Sequence, residues 1–109
     1  MTEAALVATW QQDNESSASI IGPLTRDTVP MLWTKLKQWQ PSVERFDLSL
    51  QQLERVDSAG MAMLIHLLQH AKNKNCLIML SFMPNQLKTL FELSNIDDLI
   101  VEHIQKTED

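Results

Sequence analysis

The chain is predicted to adopt an α/β fold, a mixed sheet of four to five strands with three to four helices, on three observations. Short β-prone runs alternate with longer stretches in which apolar residues recur at helical spacing. The run through Phe46, Leu48 and Leu50 has period two and changes near Asp57 to a helical period, the mark of a strand feeding directly into a helix. No internal repeat or low-complexity segment interrupts this order. At 109 residues and 44% apolar content, a single modest core is expected. Residues 1–109 are therefore read as one domain with its core from about 5 to 104.

Taken in order, Ala4 to Trp10 and Ser16 to Ile21 are two strands of a hairpin, joined by the polar stretch Gln11 to Glu15. Gly22 and Pro23 punctuate the chain. Val29, Leu32, Trp33 and Leu36 then form one face of a helix capped by Thr25 or Thr28, with Pro30 in its first turn and an end near Trp39, before Pro41. The strand through Phe46 continues past Leu53 and Val56 into a helix from about Ser58 to Lys74. Its apolar arc is Met61, Leu64, Ile65, Leu67, Leu68 and Ala71, and its polar arc is Ala62, His66, Gln69, His70 and Asn73. Lys72 and Lys74 suit the negative end of its dipole. The nearly continuous apolar run Leu77 to Phe82 reads as a central strand covered on both faces, closed by Pro84. Leu87, Leu90 and Phe91 mark a third helix, which Asn95 ends as a left-handed cap. Leu99 to Ile104 reads as a last short edge strand or helical turn, and the acidic residues Asp97, Asp98, Glu108 and Asp109 serve solvation and capping.

Composition narrows the function. A formal net charge of −5, with nine Lys and Arg residues scattered along the chain, disfavours nucleic acid and anionic lipid as ligands. The single cysteine, Cys76, permits no internal disulfide, which fits a reducing compartment. No basic leader precedes an apolar stretch, and the densest apolar segment, Met61 to Leu68, is broken by His66. Export and direct membrane insertion are not expected.

Asp57 and Ser58 carry the functional reading. A strand that ends at Asp57 and turns at once into a helix exposes the Ser58 hydroxyl at a helix N-terminus, where unpaired N–H groups favour negative charge. The plain alternative is an ordinary serine cap, with Asp57 simply capping or turning. Ala59 and Gly60 leave the first turn nearly bare, and Gly60 costs about 1 kcal/mol in helix propensity. That cost, without an evident local benefit, reads as room for a partner to approach. Ser58, Asp57 and His66 do not make a hydrolase triad, since no G-x-S-x-G elbow is present. His66 and His70 stand one turn apart, but without a zincin glutamate they read as polar surface, so no metal is expected. Met61 is read as core and Met63 as a rim residue suited to an interface. Trp10, Trp33 and Trp39 are read as packing residues, with partial exposure of Trp33 or Trp39 left open.

The segments Gly22–Leu24 (GPL), Asp47–Ser49 (DLS) and Asp57–Leu64 (DSAGMAML) resemble the STAS family, which includes bacterial anti-sigma-factor antagonists and transporter-associated domains. The resemblance spans about Leu6 to Ile104. Thr25 departs from it where an acidic residue is common, and Asn95 where glycine is common. It implies a STAS fold and gives Ser58 the role of a phosphorylatable or partner-contacting residue. Leu32, Trp33 and the stretch His66–Lys72 are most similar to the cytoplasmic STAS subunit of a phospholipid-transport ABC complex of Gram-negative bacteria. What this likeness implies is a non-enzymatic protein without cofactor, peripheral to the inner membrane, bound to the transporter's ATPase subunit and through it to the membrane permease. The docking surface expected on that basis is Asp57, Ser58, Met61, Ala62, His66 and Gln69. The other role within the family is an anti-sigma-factor antagonist switched by phosphorylation of Ser58.

Overall fold

The computed structural model describes residues 7–96 and 100–103. Strands β1 (Thr9–Asn14) and β2 (Ser17–Leu24) pair antiparallel, and β3 (Arg45–Ser49) and β5 (Leu77–Ser81) extend the sheet in parallel, in the order β1-β2-β3-β5. Strand β4 (Leu53–Val56) also runs parallel to β2 and pairs with its second half. Three helices complete the fold: α1 (Val29–Leu36), α2 (Ser58–Lys72) and α3 (Asn85–Leu93). A short 3-10 turn at Val101–His103 follows. The sequence expectations for Ala4 to Leu6, Asp97 to Leu99, Ile104, Glu108 and Asp109 lie outside the described residues.

Alternation builds the core. Ala18, Leu48 and Leu80 stand side by side on β2, β3 and β5, and all three are buried with Ile20, Phe46 and Ile78. They pack against Leu32 and Leu36 of α1, Leu64, Leu67 and Leu68 of α2, and Leu87 and Phe91 of α3. The intervening row, Ser19, Ser49 and Ser81, is also in register and only half-buried, as period two requires.

The hairpin is shifted from its expected place. Gln11 to Asn14 belong to β1, and the turn falls at Glu15 and Ser16, where Asn14 Oδ1 accepts from the Ser16 N–H at 2.8 Å. A polar strand persists there because backbone pairing with β2 holds it and Trp10 packs with Trp39 and Phe46, at ring separations of 5.2 and 5.8 Å. Gly22 and Pro23 do not end β2. The register slips between them as β4 joins, and Gly22 has φ +100, where a Cβ would stand only 2.6 Å from the Val7 carbonyl oxygen. The run from Phe46 to Val56, read as one strand, is divided into β3 and β4.

Strand β5, expected to be central, ends the main path of the sheet. The turn holding buried His103 packs against it, and the Ile78 carbonyl accepts from His103 Nδ1 at 2.7 Å, so an edge carbonyl is satisfied away from water. Lys72, at the C-terminus of α2, pairs with Glu102 of the same turn. Helix α1 stops at Leu36, short of Trp39, and Thr28 precedes it without a side-chain cap bond to the helix; its hydroxyl donates to the Pro23 carbonyl at 2.8 Å. Asn95 has φ 57 and closes α3 as expected, with the Ile96 N–H reaching the Phe91 carbonyl at 3.2 Å. Asn75 does the same for α2, at φ 62.

Candidate functional site

Asp57, not Ser58, caps α2. With extended backbone (φ −116, ψ −171), its Oδ1 accepts from the Gly60 N–H at 3.0 Å and its Oδ2 from the Arg26 N–H at 3.1 Å. One carboxylate thus ties the start of α2 to the loop after β2. Burial works to raise its pKa, but the N–H groups of Gly60, Arg26 and Ala59 and the charge of Arg26 outweigh it and hold the group below the ordinary aspartate value. Two further bonds fix the junction: the Asp57 N–H to the Leu24 carbonyl at 3.3 Å, and the Val56 N–H to Gln86 Oε1 of α3 at 3.1 Å. Arg26 and Gln86 were invisible to sequence reasoning because they lie 31 and 30 residues from their partners.

Gly60 corrects the sequence reading. It is buried, and a Cβ placed on it would stand 2.1 Å from the Leu24 carbonyl oxygen and 2.9 Å from Val56 Cγ2. The missing side chain lets the first turn of α2 close onto the end of β2, which is the local benefit the propensity cost lacked. Room for a partner is not its purpose.

Ser58 is the first residue of the helix and is exposed, with no side-chain hydrogen bond among the described residues. Ala62, His66 and Gln69 continue the exposed stripe along α2, and Asp57 is half-buried at its head. Met61 departs from this set. It is only 9% exposed and packs toward α3, with Ser94 Oγ 3.9 Å from its sulfur, so it supports the surface from beneath. Met63 is also buried and not at a rim, because Gly60 and Leu67, three and four residues away on the same side, face the core. On the α1 side, half-buried Trp33 lies 6.1 Å from the His66 ring and 6.2 Å from that of His70.

His70 is engaged structurally, its Nε2 donating to the Trp39 carbonyl at 2.8 Å. Among the described residues no group of three His, Cys, Asp or Glu side chains is arranged to hold a metal ion. Both Asp57 oxygens accept backbone N–H groups, which leaves the carboxylate a positioning role. No helix among the described residues is long and apolar enough to cross a membrane. The arrangement offers an exposed helical stripe with the Ser58 hydroxyl at the positive end of a helix dipole.

The mixed sheet, the helical layer and the capped strand-to-helix junction define an α/β module with the STAS fold. The chain belongs to the STAS family described as "Mlab, STAS domain", which matches residues 7–102. It is 30% identical over 87 residues to the intermembrane phospholipid transport system binding protein MlaB of Escherichia coli (strain K12), covering 80% of this chain and 87% of that protein. The Shigella flexneri protein of the same name gives the same values, 30% over 87 residues with 80% and 87% covered. Among solved structures, the anti-sigma factor antagonist SpoIIAA in its unphosphorylated form matches with TM-score 0.68 and 13% identity, over 94% of this chain and 89% of that one. A sulfate transporter family protein from Wolinella succinogenes matches with TM-score 0.65 and 15% identity, over 95% and 80%. At such identities the two structures speak for the fold alone.

Proposed function

We propose that this chain is the non-enzymatic STAS subunit of an Mla-type ABC transporter for phospholipid, and that it docks onto the transporter's ATPase subunit. The observation that carries the reading is the exposed stripe of Ser58, Ala62, His66 and Gln69 on a rigidly capped helix. It occurs in a chain 30% identical to proteins named for binding within intermembrane phospholipid transport. Trp33, half-buried beside His66, adds an aromatic flank to that surface. Docking places the protein at the cytoplasmic side of the inner membrane, bound through the ATPase to the membrane permease. It supports assembly and activity of the complex, and so outer-membrane lipid asymmetry, without chemistry or a cofactor of its own.

The test is affinity capture of the tagged protein from its native cell. Recovery of an ABC ATPase together with its permease supports the assignment, and Ser58→Glu lowers that recovery while the melting temperature stays unchanged. Recovery of an anti-sigma kinase and no transporter overturns it. That outcome belongs to the second reading, an antagonist whose Ser58 is phosphorylated, which the exposed hydroxyl favours. A phosphate on Ser58 would add about −1.5 to −2 charges beside the Asp57 carboxylate and oppose docking.

A further inference from the structure

We infer that the face of α1 turned away from α2 is a self-association surface, through which two copies of this chain pair about a two-fold axis at Met31. Met31 is 76% exposed and Val7, which lines the same cleft, 49%. Between them runs a cleft of about 290 Å³, floored by Ala8 and Leu32 and bordered by Asp27 and Lys35. Asp27 stands in the turn before α1, four residues before Met31, and Lys35 lies one helical turn after Met31; all three line the same cleft.

An acid and a base placed on either side of an apolar centre form a pattern that is its own complement. When a second α1 lies antiparallel across the first, Met31 meets Met31 of the second copy. Each Asp27 then faces Lys35 of the other chain, so the contact is isologous and closes at two subunits. Exposed ion pairs contribute little energy one by one, so removal of Met31 and Val7 from water drives the association and the charges set its register. The patch is small for a permanent interface, and the dimer is weak and reversible. A strongly anionic partner is opposed by Asp27 and by the net charge of −5. Trp33, two residues after Met31, points to the other side of α1, toward His66 of α2. Each paired copy therefore keeps its α2 stripe open, and the dimer presents two docking surfaces.

Sedimentation velocity of the full chain between about 10 μM and about 1 mM tests the proposal. The weight-average sedimentation coefficient is expected to rise with concentration. Lys35→Asp or Asp27→Lys alone sets like charges against each other at both pairs and weakens the dimer about tenfold or more, whereas D27K/K35D together restores it. Both swaps oppose the α1 dipole, so melting temperatures are recorded alongside. Met31→Cys, which leaves the charges untouched, is expected to give a disulfide-linked dimer on mild oxidation because a residue on the axis faces its own copy. A wild-type chain that stays monomeric to about 1 mM overturns the proposal. Single swaps without effect, a double swap that fails to restore pairing, or Met31→Cys that stays monomeric after oxidation also overturn it.

Discussion

Ser58 and Gly60 sit two residues apart in the same helical turn, and the structure uses them in opposite ways. Ser58 points to solvent and bonds to no described side chain, whereas Gly60 is pressed so closely against Leu24 that a single methyl group would overlap its carbonyl. Asp57, just before them, fixes the start of the helix through one bond to the Gly60 N–H and another to the Arg26 N–H. The proposed docking surface is thus held in place from behind by the buried Gly60. Small side chains near a candidate site therefore need to be located before they are interpreted, since bareness can face inward.

The sharpest way to break this contrast is Gly60→Ala. Despite the helix propensity gained, the clash with Leu24 is expected to cost about 3 kcal/mol, measured by urea unfolding, a large share of a small domain's stability. A loss under about 1 kcal/mol would show that the space is not structural. Next in size is Asp57→Ala, which removes the cap of α2 and the bond to Arg26. It should cost about 1–2 kcal/mol, and Asp57→Asn less, because asparagine also caps well.

A smaller effect lies in the pH dependence. Because the folded structure holds the Asp57 pKa below that of the unfolded chain, the ionised group stabilises the fold, fully so above its ordinary value near about 4. That contribution disappears as the pH falls through the lower, folded value. Stability difference curves of wild type against Asp57→Asn are therefore expected to be flat at neutral pH and to converge below about pH 4. The smallest effect is expected at Ser58. Its change to alanine should move stability by no more than about 0.5 kcal/mol, while Ser58→Glu alters partner capture and not the unfolding midpoint. A destabilisation at Ser58 comparable to that at Asp57 would erase the distinction between the outward and inward sides of the turn.

The exposed half of the site was readable because helical periodicity alone separates Ala62, His66 and Gln69 from the apolar arc. The supporting half was not. Gly60 is explained by a carbonyl 36 residues earlier in the chain, and Met61 and Met63 by the packing that closes over α2. His70 looked like free surface until the Trp39 carbonyl came within reach of its ring.

By itself, the sequence determined the kind and order of the elements apart from the division of β3 from β4, the junction at Asp57 and Ser58, and the left-handed end of α3 at Asn95. Each of these rests on interactions within a few residues, where side-chain spacing, capping groups and backbone preference act directly. Only the tertiary structure decided that polar Gln11 to Asn14 form a strand, that apolar β5 ends the main sheet path, and that Gly60 faces inward. Those outcomes depend on which distant backbone groups pair and which surfaces meet, and a strand's own residues do not name its neighbours.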